Sequence, residues 1–205
     1  MLRRRFFQLS GLALLAGLSN QAWSSIRPGV DYKNLRVVQP IAPHKKQVTE
    51  VFFYGCPHCY NLQDSLYQWL RAKPRDVHFE RVPAVLNNPS WVFMAKVYYA
   101  AEDLGIIERS NQPFFEALHR DQLPLTNLAS IAQFHSQFGV TEQAFIASFN
   151  SFKVDQAVRR AQRLTEAFGV EGVPSIVVNG KYITSLSMSG SQAKLWQNVD
   201  QLLER

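Results

Sequence analysis

The stretch Val48-Thr49-Glu50-Val51-Phe52-Phe53-Tyr54-Gly55-Cys56-Pro57-His58-Cys59 decides how this chain of 205 residues is read. Its first seven residues are a β-branched and aromatic run, the composition of a strand covered on both faces. Gly55 ends the run. Pro57 then stands where a first helical residue belongs, because its missing N–H costs nothing there. Leu62, Leu66, Trp69 and Leu70 recur at helical spacing until Pro74 stops the helix. Cys56 and Cys59 are the only two cysteines. Two thiols separated by two residues at a helix start point to a redox-active pair.

Two blander readings carry less. A structural zinc needs four ligands, and folds that use C-x-x-C for zinc bring a second pair. Here there is none, and His44, His78, His119 and His135 show no H-x3–5-H spacing. A purely structural disulfide closing so short a loop stabilises little, since the chain entropy removed shrinks with loop size.

Outward from the pair, Val77–Val82 reads as a second strand. Strand, helix and strand make a βαβ unit with a right-handed crossover and a parallel strand pair. From about Pro89 to Ser151 the pattern changes. Trp91–Leu104, Gln112–Arg120, Leu128–Phe138 and Glu142–Phe152 all carry apolar residues at three- and four-residue intervals. Phe145, Phe149 and Phe152 form one stripe, and Phe114, Phe115 and Phe138 add aromatic bulk to a small helical bundle. A long helix, Val154–Phe168, leads back with Ala157, Ala161, Leu164 and Phe168 on one face. Ser175–Val178 and Lys181–Ile183 flank Asn179-Gly180, a strong hairpin signal. A last helix, Ser191–Leu203, offers Leu195, Val199, Leu202 and Leu203 to the core. No internal repeat or low-complexity linker interrupts this order.

The first residues read as an address. Arg3, Arg4 and Arg5 form a basic region, and Leu9–Leu18 is an apolar run too short to span a bilayer. Ala22-Trp23-Ser24 places small residues at a cleavage site, with the cut after Ser24. Arg3-Arg4-Arg5-Phe6-Phe7 also resembles a twin-arginine signal, so the export route stays open, as does an N-terminal anchor. Export puts the cysteines in an oxidising compartment. Loss of residues 1–24 removes three arginines and no acid, so the net charge falls from +6 to +3. Nothing in the remainder clusters Lys and Arg enough to indicate nucleic acid. Arg159-Arg160 and Arg163 read as a solvated helix face. About 180 residues, 46% hydrophobic over the full chain, suit one core with an insertion.

With Pro57 as the first helical residue, Cys56 is the N-cap. A thiolate there accepts N–H bonds from the next turn at the positive end of the helix dipole. Cys56 is therefore the exposed nucleophile and Cys59 the shielded, resolving partner. Bringing a thiol from about 8.5 to about 4 needs roughly 6 kcal/mol, whereas a helix N-terminus supplies at best about 2. The rest falls to direct hydrogen bonds and to His58, which can hold positive charge or donate N–H. A stabilised reduced pair makes an oxidising disulfide. Gly172-Val173-Pro174-Ser175 precedes a hairpin strand, where proline marks an edge, a cis bond or an ordinary loop. Glu50 is a carboxylate inside an apolar strand. It needs a partner if buried, with Arg81 on the next strand the natural one, or stands in water at a sheet edge.

Taken together, these residues resemble the thioredoxin superfamily, and specifically the periplasmic disulfide oxidoreductases of the DsbA type. The resemblance covers nearly the whole chain after the leader. It rests on Glu50-Val51-Phe52-Phe53, on Cys56-Pro57-His58-Cys59-Tyr60, on the helical block, and on Gly172-Val173-Pro174 leading into Val178-Asn179-Gly180-Lys181-Tyr182. It implies an α/β, thioredoxin-like fold split by an inserted all-helical domain: residues 25–84 and 153–205 thioredoxin-like, 85–152 inserted. It also implies a cis Val173–Pro174 bond facing the cysteines and no cofactor beyond the redox-active disulfide. Unfolded exported proteins would be the substrates, a quinone-linked membrane protein of the DsbB type the re-oxidant, and a monomer the working form. Two positions depart from the family: Gln63 where an acid is frequent, and Arg81 where lysine is familiar. Arginine does not deprotonate, so a buried proton relay would run through Glu50 alone.

Three other functions compete. A disulfide isomerase or reductase is nearest, but such isomerases carry an N-terminal dimerisation module and tend to have threonine where Val173 stands. A peptide-binding chaperone would not need an activated cysteine. A glutathione-linked enzyme with a helical insertion fits the fold but not the export signal.

Overall fold

A computed structural model describes residues 25–43 and 45–205. The leader and its cleavage after Ser24 lie outside the described residues, as does His44. The sheet has five strands: β1 (Lys33–Asn34), β2 (Lys46–Phe52), β3 (Val77–Pro83), β4 (Ser175–Val178) and β5 (Tyr182–Ser185), in the spatial order β1-β5-β4-β2-β3. Helix α1 (Pro57–Ala72) crosses from β2 to its parallel neighbour β3, which is the βαβ unit the pattern predicts. All other pairings are antiparallel. The Asn-Gly turn joins β4 to β5, with left-handed φ of 52° at Asn179 and 60° at Gly180. Lys181 N–H donates to the Val178 carbonyl at 3.0 Å, and Asn179, Gly180 and Lys181 separate the paired Val178 and Tyr182. Only glycine fits at 180, because a Cβ there would lie 2.2 Å from the carbonyl oxygen of Gln39.

Strand alternation decides what each face buries. Val48, Ile176 and Val178 pack on Leu62 and Leu66 of α1 and on Leu195, Val199 and Leu202 of the last helix, α8 (Gln192–Leu203). Val51 and Val177 face the other way, onto Phe168 and Leu164 at the end of α6 (Phe152–Ala167). Each of these aliphatic side chains, removed from water, contributes about 1.5–3 kcal/mol.

Between β3 and α6 the chain forms α2 (Pro89–Asp103), α3 (Ile107–His119), α4 (Leu128–Ser136) and α5 (Glu142–Phe149). Phe114, Phe115, Ile131 and Phe145 of this block share one core with Phe52, the last residue of β2, and Tyr54 in the turn that leads to the cysteines. His135 belongs to that core. It is buried, stacks on Phe145 at 4.3 Å and donates Nδ1–H to the Ile131 carbonyl at 2.8 Å. Burial lowers its pKa to about 4, so it is a neutral packing residue. The fold is thus the thioredoxin type with a helical insertion.

Several expectations need correction. Phe152 does not continue the stripe of Phe145 and Phe149; it is 68% exposed. The buried face of α6 is Val154, Val158, Ala161 and Thr165, with Ala157 and Leu164 at its margin. Helix α3 begins five residues before Gln112 and runs through Pro113, at the loss of the i→i−4 bond that proline cannot donate. Edge strand β1 and the short helix α7 (Leu186–Ser189) were not foreseen.

Candidate active site

Cys56 has extended backbone (φ −92°, ψ 116°) and caps α1, with Pro57 the first helical residue. The turn before it is set by Gly55, where a Cβ would lie 2.5 Å from the Phe53 ring. That ring in turn stacks on Trp91 at 4.1 Å. Cys59 follows one turn later, fully buried, while Cys56 is half-buried; both are free thiols.

The cap differs from expectation in one respect. The Cys56 thiol makes no side-chain cap bond; it donates to the Val173 carbonyl, 3.5 Å away. A thiol is a donor, and the acceptor it meets is a carbonyl of the cis-proline loop. A thiolate has no proton to give, so ionisation turns the sulfur into an acceptor. The pKa of Cys56 is lowered to about 6, first by the Cys59 thiol, then by the backbone N–H groups of Cys59 and His58 and the His58 charge, against an opposing push from burial. Burial and the neighbouring Cys56 sulfur push Cys59 the other way. The two sulfurs therefore divide their roles: one ionises readily, the other holds its proton. An ultraviolet absorbance titration of the reduced protein is expected to show one thiolate forming with a midpoint near 6. A midpoint near the free-cysteine value of about 8.5 would show that the contacts to Cys56 do not act as described.

The Val173–Pro174 peptide is cis, and Ser175 closes the turn by donating Oγ–H to the Gly172 carbonyl at 2.7 Å. Pro174 precedes β4, an interior strand between β5 and β2, so the edge reading is excluded. Val173 and Pro174 line a groove of about 540 Å³ with the exposed His58 and with Ile183, Leu186 and Met188. Lys33 and Glu171 form an ion pair of 2.9 Å at its rim.

Beneath the pair lies a buried polar cluster. Glu50 is fully buried on β2, an interior strand, which excludes the reading of a solvated edge residue. It is in register with Arg81 of β3, whose Nε donates to Glu50 Oε2 at 2.9 Å. Gln63 of α1 completes the group. Its Nε2 donates to Glu50 Oε1 at 3.1 Å and to the Cys59 carbonyl at 3.0 Å, and its Oε1 accepts from Arg81 at 3.4 Å. Burial raises the pKa of Glu50, while Arg81 and Gln63 oppose the rise.

The structure thus brings Cys56, Cys59, Val173 and Pro174 together, places His58 at the groove, and sets Glu50 and Arg81 behind Cys59. Sequence reasoning overlooked His119 at the end of α3. Its Nε2–H donates to the Tyr54 carbonyl at 2.7 Å, and its ring stacks on Tyr60 at 5.2 Å. Tyr54 O–H also donates to Asn111 Oδ1 at 2.8 Å. The helical block therefore grips the chain on both sides of the Cys56–Cys59 turn. No local pattern marks His119, since its partner lies 65 residues away. Among the described residues, no group of three or more His, Cys, Asp or Glu side chains is placed to hold a metal.

A split thioredoxin fold with an ionisable, half-exposed cysteine at a helix N-cap, facing a cis-proline loop, defines a thiol:disulfide oxidoreductase. Residues 47–203 match the DSBA-like thioredoxin domain, and the chain belongs to that family. Thiol:disulfide interchange protein DsbA of Pseudomonas syringae pv. tomato is 34% identical over 194 residues, 94% of this chain and 90% of the relative. The protein of that name from Azotobacter vinelandii is 35% identical over 202 residues, 96% of this chain and 94% of the relative. Among solved structures, the oxidoreductase DsbA of Xylella fastidiosa superposes with a TM-score of 0.81 at 32% identity, over 88% of this chain and 97% of that one. Pseudomonas aeruginosa DsbA gives 0.80 at 33%, over 86% and 92%. The chain is a protein disulfide oxidoreductase.

Proposed function

We propose that the protein donates its Cys56–Cys59 disulfide to newly exported proteins in the periplasm. A substrate thiolate attacks Cys56 Sγ, the more exposed of the two sulfurs. The Cys56–Cys59 bond breaks, the electron pair goes to Cys59, and a mixed disulfide forms. Cys59 takes up a proton, for which its high proton affinity is suited. A second substrate thiolate then attacks the substrate sulfur of the mixed disulfide and expels Cys56 as a thiolate, a good leaving group because its pKa is low. The substrate is oxidised by two electrons and the protein reduced by two.

The observation that carries the direction is the opposed ionisation of the two sulfurs, low at Cys56 and high at Cys59. A stabilised Cys56 thiolate favours the reduced form, so the disulfide is given away. In this reading His58, Pro57, Val173 and Pro174 serve the pair, the Val173 backbone flanks the bound peptide, and Glu50 relays the Cys59 proton with Arg81 as fixed counter-charge. Residues 25–84 and 153–205 form the thioredoxin-like part and 85–152 the insertion, in a monomer. Re-oxidation falls to a quinone-linked membrane protein of the DsbB type. Residues 1–24 are the export signal; among the described residues no helix is long and apolar enough to cross a membrane.

A glutathione redox titration tests the direction. A DsbA is known to lie at about −120 mV and thioredoxin at about −270 mV. The expected potential is on the oxidising side, closer to the first figure. A value at or below thioredoxin's would make the protein a reductant and sink the donor reading.

A further inference from the structure

Helix α6 offers solvent a stripe that disulfide chemistry does not use. Phe152, Gln156, Arg159 and Arg163 recur at i, i+4, i+7 and i+11, which stacks them on one face, and all four are exposed. Lys153 and Arg160 flank them, and the group borders a shallow depression of about 550 Å³. At 68% exposure Phe152 is the most exposed large apolar side chain among the described residues. Two of the basic groups are met by acids: Lys153 binds Asp103, and Arg160 is under the influence of Glu102. On the same helix Asp155 pairs with Lys96 at 3.0 Å, and Glu166 accepts from Gln162 at 3.3 Å. Arg159 and Arg163 make no ion pair among the described residues.

We propose that this face docks the protein on an anionic phospholipid surface, a property beyond the disulfide-donor reading. Guanidinium groups match phosphate with two parallel N–H bonds. An aromatic ring beside them, on an otherwise polar helix face, can enter the boundary between headgroups and acyl chains. The two features complement such a surface together: Arg159 and Arg163 take the lipid phosphates and Phe152 leaves water. A single-stranded nucleic acid would call for several stacking rings along a basic groove, and here there is one. Phe152 begins α6, whereas Gly169 and Gly172, which line the substrate groove, follow its end. Sixteen helical residues separate Phe152 from that end by roughly 24 Å, while Arg163 stands six residues before Gly169, so the apolar contact sits at the end of α6 remote from the groove.

Vesicle sedimentation tests the proposal, using the chain from Ser25, which includes every described residue, so that the apolar leader cannot itself carry protein to lipid. Expected is binding to vesicles containing phosphatidylglycerol at low salt, with little to pure phosphatidylcholine and a steep decline as salt is raised. Arg159→Gln/Arg163→Gln is expected to lower partitioning about thirtyfold and Phe152→Ser about tenfold. Both variants should oxidise a reduced peptide in solution at the parental rate, which separates this proposal from the proposed function. Equal sedimentation with the two lipids overturns it. So does parental binding by the arginine variant, or binding to heparin or an acidic peptide with none to anionic vesicles.

Discussion

Cys56→Ser is expected to lose disulfide transfer by more than about a thousandfold, because the group removed is the one that makes and breaks every covalent bond in the cycle. Cys59→Ser is expected to fail differently. Its Cys56 thiolate still attacks a peptide carrying a glutathione mixed disulfide, expels glutathione thiolate and bonds to the peptide sulfur. With no thiol at 59 to displace the peptide, the adduct persists. Non-reducing electrophoresis and intact mass should therefore show an adduct for Cys59→Ser and none for Cys56→Ser. The asymmetry follows from exposure: Cys56 is half-buried beside the Val173 carbonyl of the groove-lining loop, while Cys59 is sealed in the core. The adduct should form at half its maximal rate near pH 6, where half of Cys56 is ionised. As a lowered acid, Cys56 stabilises the reduced fold above the unfolded pKa, and that contribution is lost as pH falls through about 6. At pH 7 it amounts to about 1 kcal/mol, after allowance for solvent screening of a half-exposed sulfur. Equal adduct formation by both variants would mean that attacker and resolver are wrongly assigned. Retained turnover in Cys56→Ser would remove the thiol mechanism altogether.

What could be read before any coordinates was what is local. Cys56 at the cap, Pro57 after it and the Asn179-Gly180 turn each constrain the backbone within a few residues, and the structure has all three. The pairing of Glu50 with Arg81 was legible for a different reason, since a charge within an apolar strand demands a partner and the adjacent strand offered one. What escaped depended on phase or on distance. Phe152 falls in register with Phe145 and Phe149 only if one helix continues. Helix α5 ends at Phe149, and Ser151 caps a new helix through its Oγ, which resets the phase and turns Phe152 outward. Strand β1 is two exposed residues defined wholly by pairing with β5. Gln63 looked like a missing acid. In place it serves carboxylate and guanidinium at once, donating to one and accepting from the other, whereas a second buried carboxylate would repel Glu50.

That cluster carries the second large effect, on stability. Arg81→Met is expected to destabilise the protein by about 3–5 kcal/mol at pH 7, because it strands the Glu50 carboxylate in the core. The loss should depend on pH with a definite sign. Glu50 already has a raised pKa from burial, and Arg81 is the main group opposing that rise. Without it the folded-state pKa climbs further above the unfolded value of about 4.3. A raised acid binds more protons folded than unfolded, so stability falls as pH rises from the unfolded pKa through the folded one. Urea unfolding should therefore show the gap between Arg81→Met and parent narrowing from about pH 7 to about pH 5. Glu50→Gln/Arg81→Met should recover most of the loss at pH 7, since replacing both charges leaves neither unpaired. Glu50→Gln alone should slow proton exchange at Cys59 during turnover and leave the Cys56 titration nearly unchanged, because Glu50 faces Cys59 across Gln63 and is not among the groups that set Cys56. A gap that stays constant with pH, or a double variant no better than Arg81→Met, would show that the pair acts through packing and not through charge.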